Sequence, residues 1–132
     1  LGAIVTNSII YFNDSDGVQI GDNRAELTYS NVQGGWPGDG NIDADPLFVS
    51  CGQWSDSVWT AGDYHLQSQG ARWDDVAGLW RSDAGTSPCI DAGDPGVSIL
   101  DEPVALDGAV VGNSRINMGA YGGTAQASVA AD

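Results

Sequence analysis

Apolar residues along this chain come in short runs that are separated by polar and turn-forming residues. The segment "NSIIYFN" at 7–13 is a β-branched and aromatic run between two Asn residues, and "ELTYSNVQGG" at 26–35 is a second run closed by two glycines. Such runs are typical of short β-strands. "DPLFV" at 45–49 and "DYHLQS" at 63–68 continue the series. No segment has a helical period of useful length, so the pattern predicts an all-β chain.

The first two runs also resemble each other. Ser30-Asn31-Val32 resembles Asn7-Ser8-Ile9, and between them "DSDGVQIGDN" at 14–23 predicts a turn, a brief strand and a turn. A repeat of roughly twenty residues with one or two short strands in each period is typical of a β-solenoid. The two partial copies therefore favour the stacked coils of a β-solenoid.

Two stretches interrupt the series and carry four of the five tryptophans, "SCGQWSDSVWTAG" and "QGARWDDVAGLWRSDAGTSPC". They predict excursions from the core that are folded back by their own aromatic residues. The resulting organisation is β-helix coils at 1–50, loop-rich excursions with a short strand (63–68) at 51–94, a terminal coil and cap at 95–124, and a tail or linker at 125–132. In the terminal region Ile116, Met118 and Ala120 alternate as in a strand.

The motifs in this order resemble a known group of proteins. They are "NSIIYFND", "YSNVQGGWPGDGNIDADPLFV", "GDYHLQSQGARWD", "SPCIDAGDP" and "RINMGAYGGTAQAS". Together they are similar to the C-terminal end of right-handed parallel β-helix repeat proteins, which are large secreted bacterial chains. The resemblance implies the last coils of a right-handed solenoid with a C-terminal cap, in an extracellular or cell-surface protein. It implies little about activity, because this architecture serves lyases, hydrolases, adhesins and stalks alike.

The N-terminal end of the pattern predicts an open coil. Leu1 comes directly before a strand of the repeating type with no polar cap ahead of it. An open coil leaves unpaired backbone groups, so we expect it to pair with upstream coils of the same polypeptide or with other copies of the chain. The expected function is a non-catalytic structural and assembly segment. The alternatives are part of a carbohydrate-active β-helix enzyme, or a calcium-dependent module that binds an extracellular glycan.

The charge balance excludes several partners. Eighteen Asp and Glu face four Arg and no Lys, for a formal net charge of −14. Such a chain repels phosphate backbones, anionic lipid headgroups and polyuronates. Nucleic acid is therefore not an expected partner, and the apolar runs are too short for membrane insertion.

One acidic loop has the alternation of a calcium site. In "GDGNIDADPLF" the residues Asp39, Asn41, Asp43 and Asp45 alternate as oxygen ligands do in calcium loops. The loop lacks the distal bidentate Glu, and Pro46 turns the chain into a strand. Asx side chains that hold a turn are the favoured alternative. No cofactor is required, and Ca2+ is the one cation for which the sequence offers candidate ligands.

The tryptophans are the other candidate binding residues. Trp36, Trp54, Trp59, Trp73 and Trp80 could stack on sugar rings, since indole has a broad apolar face and a polar N–H. The competing interpretation, which five tryptophans in so small a core favour, is that they seal the base of the solenoid.

The remaining reactive residues do not predict an enzyme in this segment. Cys51 and Cys89 either form one disulfide or are two buried thiols, and the sequence leaves both alternatives open. The single His65 shares a strand face with Asp63, and Asp91 and Asp94 flank a glycine. For both groups a structural role is favoured, and the chain has neither GxSxG nor HExxH.

Overall fold

The computed structural model describes residues 2–13, 24–106 and 110–131. These residues form an all-β structure of short strands without a helix. The strands are β1 (Ile4–Thr6), β2 (Ile9–Ile10), β3 (Glu26–Thr28), β4 (Asn31–Val32), β5 (Phe48–Ser50), β6 (Gln53–Ser55), β7 (Val58–Thr60), β8 (Asp63–Leu66), β9 (Arg72–Asp74), β10 (Leu79–Arg81), β11 (Ala105–Leu106) and β12 (Val110–Val111). Leu1 and the turn, strand and turn predicted for 14–23 lie outside the described residues.

The first four strands form two parallel pairs with one common register. β1 pairs with β3, with Ile4 opposite Glu26, and β2 pairs with β4, with Ile9 opposite Asn31. Both pairs have the offset of 22 residues that separates Ser8 from Ser30. The sequence similarity between Ser30-Asn31-Val32 and Asn7-Ser8-Ile9 is therefore one residue out of the structural register. We call residues 2–13 layer 1 and residues 24–33 layer 2.

The corner between the two strands is the same in both layers. Asn7 and Tyr29 occupy equivalent positions and both have positive φ, 52° and 47°. The hydroxyl of the next residue then donates to the carbonyl two residues back, Ser8 to Thr6 O at 2.9 Å and Ser30 to Thr28 O at 3.0 Å. The Ser8 N–H donates to Ser30 Oγ at 3.2 Å and joins the two corners. A left-handed residue followed by a backbone-bonded serine therefore sets the bend in each layer.

The acidic loop adds one further parallel contact to layer 2. Ile42 forms a parallel bridge with Asn31. Its N–H donates to Ser30 O at 2.9 Å, and its carbonyl accepts from Val32 N at 2.9 Å.

After this point the pairing changes direction. β5 is antiparallel to β8, with Phe48 opposite Leu66 and an irregularity between Phe48 and Ser50. The runs at 45–49 and 63–68, which the sequence pattern predicted as further short strands, contain the start of β5 and the whole of β8, and these two strands are antiparallel to each other. The physical reason is that the chain between the two strands forms the β6–β7 hairpin, which returns it beside β5 in the opposite direction, whereas parallel neighbours need a crossover.

Both tryptophan-containing excursions are β-hairpins with the same cross-strand pair. Trp54 lies opposite Trp59 in β6–β7, with ring centroids 5.5 Å apart. Trp73 lies opposite Trp80 in β9–β10, at 5.6 Å. Directly opposed aromatic residues stabilise a two-stranded hairpin. Each of the two hairpins thus has a pair of indoles that contact each other across its strands.

Acidification should weaken the turn of the β9–β10 hairpin. The Asp74 carboxylate accepts from the N–H groups of Ala77 and Val76 at 2.9 and 3.0 Å and pairs with Arg81 at 2.8 Å. These contacts, the Ala77 N–H first, lower the pKa of Asp74 from its usual value. A carboxyl group whose pKa is lower in the folded than in the unfolded chain stabilises the fold. Its contribution is complete above the unfolded pKa of about 3.9 and is lost as the pH falls through the folded pKa.

The exciton signal of the Trp73–Trp80 pair in circular dichroism measures this loss. It should be recorded in a Trp54→Ala background, where no second cross-strand indole pair contributes. Asp74→Asn is the control, because its amide oxygen still accepts from the turn but does not titrate. If the exciton signal of the Asp74→Asn variant decreased equally on acidification, another titrating group would be responsible.

The apolar core is small and lies between the parallel layers and the C-terminal segment. Its buried members are Leu66, Cys89, Ile90 and Met118, against which half-buried residues such as Ile9 pack. Several polar residues are equally buried and hydrogen-bonded: Ser30, Asn31, His65, Ser68, Arg72, Ser87, Glu102, Asn113, Asn117 and Ser128. The described residues contain no buried side-chain N or O atom that lacks a hydrogen-bond partner. The loops are therefore held together as much by internal hydrogen bonds as by apolar contacts.

The C-terminal residues belong to this core and are not a free tail. Ala127, Ser128 and Val129 are at most 2% exposed, and Val129 forms an antiparallel bridge with Ala71. The tail or linker predicted at 125–132 is thus packed over its described part. The small residues that indicated a linker are what allows the backbone to lie this close to its neighbours.

Candidate functional site

The described residues form an open cleft of about 600 Å³ between layer 1, the β5–β8 pair and the β6–β7 hairpin. Its aromatic lining residues are Tyr11, Phe12, Phe48, Trp59 and Tyr64. We call this the aromatic cleft. Its volume is within the usual range for small-molecule sites, and aromatic walls with a few polar groups are typical of such sites.

Edge-to-face contacts hold the aromatic wall in place. Tyr11 contacts Phe12 at 5.0 Å with an interplanar angle of 80°, and Phe48 contacts Tyr64 at 5.4 Å and 88°. Phe12 lies 6.3 Å from Phe48 and connects the two pairs. Rings packed in this way have fixed orientations and keep part of their faces free, and Phe12 remains 52% exposed.

The facing wall is the indole of Trp59. It lies so close to Gly52 that an added Cβ would be 2.1 Å from the ring, so only glycine fits at that position. Trp54, its cross-strand partner, is 70% exposed and does not line the cleft. The hairpin therefore places one indole of its cross-strand pair at the cleft, packed against the backbone at Gly52.

The polar part of the lining is uncharged. It includes Asn7, Ser8 and Asn13, and no Asp, Glu, Arg or Lys of the described residues lines the cleft. The Asn7 side-chain oxygen accepts from Asp94 N at 2.6 Å, which leaves its amide NH2 as the group that can donate to a ligand. Burial and the hydrogen bond of its hydroxyl to Asp43, at 3.1 Å, raise the pKa of Tyr11. The lining can thus donate and accept hydrogen bonds, but it supplies no charge.

The five tryptophans predicted as stacking or sealing residues are divided by the structure. Trp54 and Trp59 are exposed, so these two do not seal the core. Trp36, Trp73 and Trp80 are half-buried and do not line the cleft. In each hairpin the two indoles pack on each other, and none of the five tryptophans is fully buried.

The acidic loop is organised by local hydrogen bonds. Asn41 accepts from Ser30 N and donates to Leu27 O, and Asp45 accepts from Leu47 N at 2.9 Å. Asp43 accepts from Tyr11, and Asp39 accepts through its backbone carbonyl. Among the described residues no three His, Cys, Asp or Glu side chains are grouped so that they could hold a metal ion. Of the four predicted calcium ligands, Asn41 and Asp45 therefore have the backbone contacts of the alternative interpretation, whereas Asp43 bonds to a side chain and Asp39 contributes its backbone carbonyl.

The two cysteines are free thiols with different surroundings. Cys51 is exposed and lines the aromatic cleft, and Cys89 is fully buried. Asn31 Nδ2 donates to Cys89 Sγ at 3.1 Å, and burial raises the pKa of this thiol. Of the two alternatives left open by the sequence, the structure has free thiols, although only one of them is buried.

The remaining candidates are occupied by structural contacts. His65 is 1% exposed, with Nδ1 2.6 Å from Asp63 and Nε2 3.1 Å from Gln126, and its ring stacks on Tyr121 at 3.7 Å. Asp91 accepts from Ser114 and Arg115 N–H groups, and Asp94 accepts from Gly96 N. Neither group lines the cleft.

A second surface feature is the outer edge of layer 1. Among the described residues β1 pairs only with β3, and β2 only with β4. The Glu26 N–H donates to Ala3 O. Because the backbone groups of successive residues in a strand face opposite sides, the Ile4 N–H points away from β3. Ile4 is 76% exposed. We call this feature the open edge.

Sequence reasoning missed four of the five aromatic residues of the cleft. Tyr11, Phe12, Phe48 and Tyr64 lie in runs that predict strands, where aromatic residues are usually assigned to the core. A usable signal existed for one pair: Tyr11 and Phe12 are adjacent, and adjacent residues of an extended segment point to opposite faces, so one of the two rings cannot point inward.

No protein family, curated protein or solved structure matches the chain in comparisons with known proteins. No helix among the described residues is long and apolar enough to cross a membrane.

Proposed function

We propose that the chain is a non-catalytic structural segment of a secreted protein, the C-terminal end of a right-handed parallel β-helix, which extends by adding a further strand layer at its open edge. The observation that carries this proposal is the repeated layer: two strands, a left-handed corner and a backbone-bonded serine, recurring at a fixed offset of 22 residues. Solenoid coils are built by such repetition, each coil contacting only its neighbours.

The open edge supports the assembly part of the proposal. Exposed strand edges with unpaired N–H and C=O groups bind other strands, and natural proteins usually protect them. Here the edge is in register with layer 2 and carries the exposed Ile4, so a further layer would continue the same ladder and cover an apolar side chain. The added layer is an upstream coil of the same polypeptide, or a second copy where no coil is available.

The contacts of the polar candidates support a non-catalytic role. Both ring nitrogens of His65 face acceptors inside the protein, and the Asp91 and Asp94 carboxylates bond to backbone N–H groups. A general acid or base has to reach a substrate atom directly or through one water. These groups are used to hold loops.

Because two copies offer the same edge, the chain alone should dimerise through it. Ile4→Lys should raise the dissociation constant of the dimer by about tenfold or more, since it places a charge on the paired edge. Ile4→Pro should do the same by removing the outward N–H, a change that edge strands tolerate. Light scattering coupled to size exclusion, over a range of protein concentrations, measures the dissociation constant of the dimer for both variants.

Val76→Lys is the matched control. Val76 is fully exposed at the tip of the β9–β10 turn, so the same charge is added away from the edge and the mass should not change. A chain that stays monomeric at all concentrations, or a dimer that is equally weakened by Val76→Lys, would count against assembly through this edge.

A further inference from the structure

We infer that the aromatic cleft is a binding site for an uncharged oligosaccharide, a function separate from strand addition. The inference starts from the wall itself. Five aromatic rings line one cavity of about 600 Å³, an unusual arrangement in a domain with so small an apolar core; Phe12, Trp59 and Tyr64 are exposed, and Tyr11 and Phe48 are half-buried. The apolar faces of sugar rings pack on aromatic faces, and a cavity of this volume accepts more than one small ring.

The polar lining indicates the same ligand class. Sugars need neutral donors and acceptors at the edge of the stacking surface, and the cleft supplies the Asn7 amide, the Asn13 side chain and the Tyr64 hydroxyl. Asn13 is exposed, and Asn7 is held in place by its bond to Asp94 N. These groups can bind hydroxyl groups of a ligand without a change in the fold.

Charge excludes the acidic sugars. No cation among the described residues lines the cleft, and the net charge of −14 repels anionic ligands. Uronates, sulfated glycans and phosphosugars would all bring negative charge into a site that has no group to pair with it. An uncharged sugar has no such cost, and this is why we assign a neutral glycan.

The tryptophan hairpins provide the test. Trp59→Ala removes the stacking wall of the cleft. Trp54→Ala breaks the same indole pair in the same hairpin but leaves the cleft lining unchanged, and Trp80→Ala breaks the equivalent pair of the other hairpin. Isothermal titration with cellotetraose, xylotetraose and mannotetraose measures binding. Tetragalacturonate is the anionic probe, and choline tests whether the rings instead bind an organic cation.

At least one neutral tetrasaccharide should bind. Trp59→Ala should raise its dissociation constant by about tenfold or more, whereas Trp54→Ala and Trp80→Ala should change that constant by less than about threefold. If Trp59→Ala does not fold, Tyr64→Phe, which removes only a hydroxyl, should still weaken binding by several-fold. The titrations are repeated with Ile4→Lys, which weakens pairing at the open edge. Layer 1 forms part of the cleft, so a second copy bound at that edge would lie next to the site. Binding seen only with Ile4→Lys supports the site and shows that a second copy covers it.

Three results would overturn the inference. The first is the absence of neutral-sugar binding in both the unmodified chain and the Ile4→Lys variant. The second is an equal loss in all three tryptophan variants, which would make the effect one of hairpin stability. The third is tighter binding of choline or tetragalacturonate than of any neutral sugar.

Discussion

Replacing Glu102 by Gln should lower the free energy of unfolding by about 3 kcal/mol, and replacing it by Ala should lower it further. Glu102 is 3% exposed. Its Oε1 accepts from the N–H groups of Asn117 and Gly123 at 2.8 and 2.7 Å, and its Oε2 accepts from Asn113 Nδ2 at 2.7 Å. This one carboxylate therefore connects three points of a segment that has little regular secondary structure.

Glutamine does not replace these contacts, although it has nearly the same shape. Its oxygen can keep the two backbone bonds, but its NH2 then faces the NH2 of Asn113. Asn113 cannot rotate to relieve this conflict, because its Oδ1 accepts from Ala130 N and its Nδ2 also donates to Ser128 O. Two buried donors without acceptors cost several kcal/mol together.

Urea denaturation measures the change, and Glu26→Gln is the control. Glu26 is exposed and is the other Glu of the chain, so its replacement removes the same charge without a buried partner. The control variant should differ from the unmodified chain by less than about 0.5 kcal/mol. If the two Gln variants were equally stable, the buried hydrogen bonds of Glu102 would contribute no more than a surface charge.

The general strand content of this fold could be predicted from the sequence, because it depends on local pattern. The β-branched and aromatic runs contain β2, β3, β4 and β8, and the turn formers between them keep each strand short. The two hairpins follow from tryptophans spaced closely enough to pair across a turn. Such features need only the properties of neighbouring residues.

Register and pairing direction could not be predicted in the same way. The corner at Tyr29 has positive φ, which side-chain chemistry does not indicate for tyrosine, and the two layers have an offset that sequence similarity misses by one residue. The antiparallel β5–β8 pair depends on which strands meet in space. These are tertiary properties, and short strands specify them weakly.

The candidate site was predicted only at Trp59. The cleft exists because Phe12, Phe48 and Tyr64 remain partly outside a core that is filled by polar residues. The sequence analysis favoured a structural role for His65 but did not identify Glu102, and both side chains are buried. When many buried side chains of a protein are polar, residue type alone predicts neither which side chains form the core nor which aromatic residues remain outside it.

The second large effect is expected at Asn31, where Asn31→Asp should lower the free energy of unfolding at neutral pH by about 3 kcal/mol or more. Asn31 is fully buried. Its Oδ1 accepts from Ala44 N at 3.1 Å, and its Nδ2 donates to Ala44 O at 2.7 Å and to Cys89 Sγ. The amide thus forms a two-point pair with the backbone of the acidic loop and joins layer 2 to the core.

Aspartate keeps the size of this side chain but cannot keep its donors. Its second oxygen would face Ala44 O and the Cys89 sulfur, so a buried charge would lack a partner. Burial raises the pKa of such a carboxyl above that of the unfolded chain. The protonated form can donate to Ala44 O, so the deficit should be largest at neutral pH and should shrink as the pH falls towards the unfolded Asp value of about 3.9.

The labelling rate of Cys89 gives an independent measure of the same change. In a Cys51→Ser background the buried Cys89 is the only thiol, and a thiol reagent reaches it when the core opens. Asn31→Asp should raise this rate by about a hundredfold or more, in proportion to the loss of stability. Asn13→Asp adds the same charge at an exposed position and should leave both the rate and the urea midpoint unchanged. If Asn31→Asp left Cys89 as protected as Asn13→Asp does, the Asn31 amide would not be what holds the acidic loop against the core.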